Sequence, residues 1–169
     1  MLNIRPEQEA DHAAVRAVNV AAFETAVEAD LVDALRAQAQ PLVSLVAEQD
    51  GELVGHILFS PAVLVGHEDL KVAGLAPMAV TPAHQRAGIG TALVLAGLGD
   101  CKHKGFVAVV VLGHSHYYPR FGFAPASRFG IRSEYDVPDD VFMAMELQSG
   151  VLSGRTGLVK YHEAFSRFS

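Results

Sequence analysis

The stretch Gln85-Arg86-Ala87-Gly88-Ile89-Gly90-Thr91 stands between the apolar segment Leu75 to Val80 and a long Ala/Leu/Val-rich segment that ends at Lys104-Gly105. This order reads as a strand, a glycine-containing turn and a helix N-terminus. The first N–H groups of a helix lack intrahelical partners and carry the positive end of its dipole, so a turn stripped of side chains there can wrap an anion. Gly88 and Gly90 let the backbone come close, and the resulting cradle suits a pyrophosphate. The loop by itself does not name the molecule that carries it. A dinucleotide fingerprint needs a further glycine where Leu93 stands, and a Walker A loop needs Gly-Lys-Ser/Thr, which occurs nowhere in the chain.

Together with the strand-like Leu75-Ala76-Pro77-Met78-Ala79-Val80 and Thr81-Pro82 before it, the pattern Gln-x-x-Gly-x-Gly at 85 to 90 resembles the acetyl-CoA-binding motif of the GNAT superfamily of N-acetyltransferases. Downstream, Tyr118-Pro119-Arg120-Phe121-Gly122-Phe123 resembles that superfamily's short tyrosine-bearing helix and its Gly-Phe turn into a strand. The two motifs fall in the family's order, with one helix and one strand between them. The resemblance covers about 75 to 125 well and the remainder only in element order. It implies an α/β GNAT fold: a mixed, mostly antiparallel sheet, helices on both faces, and a central pair of parallel strands that splay apart to admit CoA.

By the same resemblance, Met78, Ala79 and Val80 present backbone groups to pantetheine and to the acetyl carbonyl. Gln85, Arg86, Ala87, Gly88, Ile89, Gly90 and Thr91 hold the pyrophosphate. Tyr118, four residues before Gly122, contacts the cofactor and protonates the departing thiolate, with Tyr117 as its competitor for that role. The implied activity is acetyl transfer from acetyl-CoA to a primary amine by direct attack. A backbone N–H of Ala79 or Val80 holds the developing oxyanion, and no metal takes part. The acceptor is a small-molecule amine or a protein amino group. An acyl-CoA-binding or sensor module without turnover is the alternative, and dimerisation is common in the family.

Size and composition agree with this reading. The 169 residues, half of them hydrophobic, suffice for one domain with a sizeable core, taken as 1–169. The longest apolar run, Phe106 to Leu112, is far short of the roughly 18 residues that span a bilayer. The start Met1-Leu2-Asn3-Ile4-Arg5-Pro6 lacks the charged-then-apolar layout of a signal peptide, so a cytoplasmic protein is expected. The single cysteine, Cys101, excludes an internal disulfide framework and reads as a buried helix residue. A net charge of −6 argues against a general nucleic-acid partner, which requires concentrated Lys and Arg.

Along the chain, Leu2 to Arg5 reads as a strand, followed by a helix from an Asp11 N-cap through Phe23 and a second from Glu28 to Gln38, which Pro41 stops. Leu42 to Glu48 and Leu53 to Val65 are strands joined by a hairpin at Gln49-Asp50-Gly51, where Asp-Gly is a strong turn signal. Leu70 to Val80 follows, then the cradle and its helix, Gly88 to Lys104, closed by Gly105. Gly97 and Gly99 weaken that helix and so predict close packing on a sheet. Phe106 to Leu112 has the continuous apolar character of a strand buried on both faces, and the βαβ order predicts it parallel to Leu70–Val80. Pro77, which cannot donate to a ladder, predicts broken pairing in that strand. A helical turn over Tyr117 to Phe121 and strands near Phe142–Leu147 and Gly157–His162 complete the reading.

Three further pairs of residues are open to functional or bland readings. His114 and His116 have metal-ligand spacing but no evident third ligand, and solvation or substrate contact is preferred. His56 and Ser60 in the third strand, and Glu24 and Glu28 between the first two helices, are candidates for an acceptor pocket or for core and surface positions.

Overall fold

The computed structural model describes residues 1–167. Its elements in chain order are β1 (Leu2–Pro6), α1 (His12–Phe23), α2 (Val27–Gln38), β2 (Val43–Gln49), β3 (Glu52–Leu64), β4 (Val72–Val80), α3 (Ile89–His103), β5 (Ala108–Leu112), β6 (Ala124–Pro125), β7 (Ile131–Ser133), β8 (Phe142–Glu146) and β9 (Gly157–Lys160), with short 3₁₀ turns between several of them. The strands form one mixed sheet in the order β1-β2-β3-β4-β5-β8-β6, and β9 bridges β3 to β7. Every pair on the main path is antiparallel except β4 with β5.

Local chemistry explains the frame. Asp50 and Gly51 take φ of +53° and +82°, the two left-handed residues a tight hairpin turn requires, and Gln49 faces Glu52 across it. At the end of α3 the Phe106 N–H reaches back to the Cys101 carbonyl at 3.0 Å, a wrap made possible by Gly105 at φ +91°. Alternation along β3 sends Ile57 and Phe59 into a core beneath α3, with Leu75, Leu93, Val109, Val111 and Met143. Leu58, on the opposite face, joins a core with Val15, Leu31 and Leu35 of α1 and α2. The sheet is therefore covered on both sides, and β5 is buried along Ala108 to Val111.

Two expectations change. Gly97 is pressed against the sheet, since a Cβ there would lie 2.3 Å from the Phe59 ring, but Gly99 sits on the exposed side with nothing within 4 Å. Its presence owes nothing to packing. Strands β6 and β7 add to those expected; at two and three residues they are too short for an alternation signal. Cys101 is buried and free, its thiol pushed up to about 12 chiefly by burial. Among the described residues no helix is long and apolar enough to cross a membrane.

Candidate active site

The parallel pairing of β4 with β5 runs from Val72–Ala108 to Leu75–Val111 and stops there. β4 continues to Val80, pairing again with β3 over Met78 to Val80, so the two central strands part at their carboxyl ends. The break coincides with a bulge: Ile57 faces Met78 and Phe59 faces Leu75, which leaves Ala76 and Pro77 opposite the single residue Leu58. Proline has no N–H to give the ladder, and the extra residue bends the strand at that point.

The ladder phase fixes which backbone groups face the opening. Thr81 N–H donates to the Val54 carbonyl at 2.9 Å, and antiparallel pairs alternate between hydrogen-bonded and open. With His56 opposite Ala79, the Ala79 N–H points to β3. Those of Met78 and Val80 point away from β3, toward the gap left by β5. Of the two oxyanion donors expected from the sequence, this register keeps Val80 on the open side and gives Ala79 to His56. The Val80 carbonyl, on the same side, accepts a hydrogen bond from Gln85 Nε2 at 3.0 Å. The Gln85 side chain thus ties the cradle loop to the end of β4.

Beyond that tie, Arg86 and Gly88 adopt φ of +64° and +82°. A left-handed residue other than glycine costs about 1–2 kcal/mol, so Arg86 holds strain at the turn that aims the backbone into α3. The first helical bond runs from Ala92 N–H to the Gly88 carbonyl at 3.0 Å, leaving the N–H groups of Ile89, Gly90 and Thr91 without intrahelical acceptors. They open on a cavity of about 380 Å³ walled by Arg86, Gly88, Gly90, Thr91, Tyr117 and Arg120 among others, with no carboxylate in the lining among the described residues. A Cβ on Gly88 would meet nothing within 4 Å; one on Gly90 would reach Tyr117 Oη at 3.4 Å and the Met78 methyl at 3.5 Å. Space, positive charge and donors all converge where the glycine turn predicts an anion.

The tyrosine-bearing turn follows β5. Tyr117 is its N-cap and Tyr118–Phe121 its 3₁₀ turn, ended by Gly122 at φ +106°. The two tyrosines take different positions. Tyr117 lines the cavity, and its hydroxyl shares a hydrogen bond with Thr91 Oγ1 at 3.2 Å. Tyr118 is buried to 6 % exposure in the core beneath α3, its ring edge-on to those of Tyr117 and Phe123. Gly113 makes room for it, since a Cβ there would lie 2.4 Å from the ring. Burial, and secondarily Tyr117, pushes the Tyr118 phenol up to about 12. Among the described residues its hydroxyl makes no hydrogen bond, and that oxygen is not sealed from solvent as the Tyr161 hydroxyl is.

Behind Ala79 lies a polar chain invisible to sequence spacing. Asn19 Nδ2 donates to the Val15 carbonyl at 3.0 Å and to His56 Nδ1 at 3.2 Å. His56 Nε2–H then donates to Ser44 Oγ at 2.9 Å, Ser44 donates to Glu7 Oε1 at 2.9 Å, and Glu7 Oε2 accepts from Arg36 Nη2 at 2.6 Å. The chain ties α1, α2 and β2 to the strand that backs Ala79. His56 and Ser60 are both fully buried, so they are interior polar residues, whereas Glu24 is exposed at the end of α1. His114 and His116 are exposed, and among the described residues no three His, Cys, Asp or Glu side chains come together to hold a metal.

Burial first, and then the Arg36 charge, drops the His56 pKa to about 3, against roughly 6.5 unfolded. The folded state favours the neutral ring, so its contribution is complete above the unfolded value and drains away as pH falls from there toward 3. Between pH 6.5 and pH 5 this one group is expected to remove on the order of 1–2 kcal/mol of stability. Urea titrations at the two pH values should show that loss in the wild type and a clearly smaller one in His56→Gln; equal losses would dismiss the assignment.

The family model for the acetyltransferase (GNAT) domain matches residues 3–126. The chain is 38% identical over 166 residues to the uncharacterized N-acetyltransferase YhbS of Escherichia coli, spanning 98% of this chain and 99% of that protein. It is 39% identical over 145 residues to the uncharacterized N-acetyltransferase YjhQ of the same species, 83% of this chain and 80% of that one. Among solved structures, E. coli YhbS in complex with CoA superposes with a TM-score of 0.92 at 36% identity, covering 99% of this chain and 93% of that one. A GNAT family acetyltransferase from Brucella melitensis in complex with acetyl-CoA gives 0.81 at 37% identity, with 98% of both chains covered. Gapped central strands, a glycine cradle at a helix N-terminus and these matches over nearly the whole length agree: the chain belongs to the GNAT family of N-acetyltransferases.

Proposed function

We propose that this chain binds acetyl-CoA across the gap between β4 and β5 and transfers its acetyl group to a primary amine, of a small molecule or a protein, by direct attack. The observation that carries the reading is the end of parallel pairing at Leu75 and Val111 beside the donor-lined, carboxylate-free cavity at the start of α3. The two relatives solved with CoA and acetyl-CoA support it. Bound acetyl-CoA supplies an acetyl group activated as a thioester. The N–H groups of Ile89, Gly90 and Thr91 hold the pyrophosphate, with Gln85, Arg86, Ala87 and Gly88 shaping the turn. The gap-facing backbone of Met78 and Val80 pairs with the pantetheine arm, and the Val80 N–H donates to the acetyl carbonyl where negative charge develops. Ala79 backs them, tied to His56. Tyr118 aims an uncommitted phenol proton at the leaving sulfur.

Turnover is tested by thiol release from acetyl-CoA with a panel of amines. Release that depends on an amine supports the enzyme; tight binding with no release from any amine would favour an acyl-CoA-binding module instead. Placement of the pyrophosphate has its own test. In Gly90→Val the branched side chain would push past the Tyr117 hydroxyl and the Met78 methyl and crowd the cradle. Calorimetric titration is expected to show CoA binding weakened at least tenfold, about 1.4 kcal/mol. Unchanged affinity in a folded Gly90→Val protein would move the pyrophosphate elsewhere.

A further inference from the structure

Arg120 stands apart from the other anchored guanidinium groups of this acidic chain. Arg5, Arg16, Arg36 and Arg155 each pair with a carboxylate, at 2.7, 2.9, 2.6 and 2.9 Å. Arg120 forms no ion pair among the described residues, although the chain carries a net charge of −6. It is nonetheless held in place. Its Nε donates to the Tyr117 carbonyl at 3.0 Å, and its guanidinium carbon sits 4.5 Å from the centre of the Tyr117 ring. Tyr117 is in turn tied through its hydroxyl to Thr91 Oγ1, at 3.2 Å, on the first turn of α3. The fork of a stacked guanidinium with its Nε already engaged presents its Nη edge as the free donor face. That group lies on the wall of the cavity into which the α3 N–H groups open, where among the described residues no acidic side chain competes for it.

A cation that is anchored at both stem and plane, has no counter-ion among the described residues, and borders a cavity built for an anion is a ligand-binding group rather than a stabilising one. Surface ion pairs contribute little, and an acidic protein has carboxylates to spare. We propose that Arg120, held on the Tyr117 ring, is a phosphate ligand of this cavity and strengthens its hold on the phosphorylated cosubstrate. The assignment rests on the reading that the cavity takes acetyl-CoA. CoA offers two phosphate sources, the pyrophosphate and the 3′-phosphomonoester of its ribose, and planar, bidentate recognition by arginine suits either. The Tyr117 ring contributes by fixing the plane, so the pair acts as one device.

The test is calorimetric titration of CoA and of 3′-dephospho-CoA into the wild type, Arg120→Gln, Tyr117→Leu and the double variant, at two salt concentrations. Arg120→Gln is expected to weaken CoA about tenfold and to flatten the salt dependence. If 3′-dephospho-CoA is unaffected, the arginine reads the ribose phosphate; if both ligands lose equally, it reads the pyrophosphate. Either result supports the proposal. In the Tyr117→Leu background, Arg120→Gln should cost much less than in the wild type, because the guanidinium is no longer held; equal costs would overturn the stacking role. Arg120→Gln that binds both ligands within twofold of a CoA-binding wild type overturns the proposal and leaves the cofactor reading intact. A wild type that binds neither ligand overturns that reading, and the proposal with it.

Discussion

Tyr118→Phe is expected to lower turnover about 10²-fold, some 2.7 kcal/mol of barrier, while acetyl-CoA affinity stays within a few-fold. The change deletes one oxygen from a ring already packed on Gly113 and Phe123, so the fold has little reason to move. With its phenol pushed up to about 12, Tyr118 keeps its proton throughout the neutral range. It is also a weaker acid than a thiol, whose ordinary value is near 8.5. Full transfer to a free thiolate is therefore uphill, and in the proposed role the benefit would lie in a hydrogen bond that strengthens as the sulfur gains charge. A consequence follows for the pH profile. No descending limb from Tyr118 should appear below about pH 10, where its phenol remains protonated. Tyr117→Phe should do much less to turnover, because the Tyr117 hydroxyl is engaged with Thr91 Oγ1. Turnover that survives in Tyr118→Phe and collapses in Tyr117→Phe would hand the role to Tyr117; if both variants turn over normally, solvent protonates the sulfur.

What the sequence disclosed and what it hid divide along a physical line. Features written in consecutive residues were legible: the Asp50-Gly51 hairpin, the glycine turn into α3, the apolar β5 and the βαβ order that makes β4 and β5 parallel. Each depends on backbone preferences or on a period of burial that a short window contains. Pro77 pointed to the broken strand, but not to the direction in which its neighbours' N–H groups face. That depends on register against β3, which the Thr81–Val54 bond sets. The polar chain behind Ala79 draws Asn19, His56, Ser44, Glu7 and Arg36 from five separate segments, so no spacing announces it. Arg120 lay inside a motif already singled out for its tyrosine. The signal that was present, an arginine three residues after Tyr117 on one helical turn, is the spacing that lays a guanidinium over a ring.

Gly97→Val is expected to destabilise the protein by about 3 kcal/mol, at the upper end for overpacking a rigid core. For a chain of this length that is a fall of roughly 6–12 °C in melting temperature. The new Cβ would lie 2.3 and 2.7 Å from two atoms of the Phe59 ring, and Phe59 is wholly buried beneath α3. Neither ring nor helix can yield alone, so α3 must lift from β3, carrying the cradle at its N-terminus away from the end of β4. Gly99 supplies the control within the same helix. A Cβ at that exposed position would have nothing within 4 Å, so Gly99→Ala should stabilise by about 0.5–1 kcal/mol through helix propensity alone. Gly97→Ala receives the same propensity gain and still meets the Phe59 ring, so it should come out destabilised. Thermal unfolding of the two alanine variants decides the matter by sign. If Gly97→Ala is as stabilising as Gly99→Ala, Phe59 can step aside, α3 is not seated on β3 through that glycine, and its packing does not hold the cradle in place.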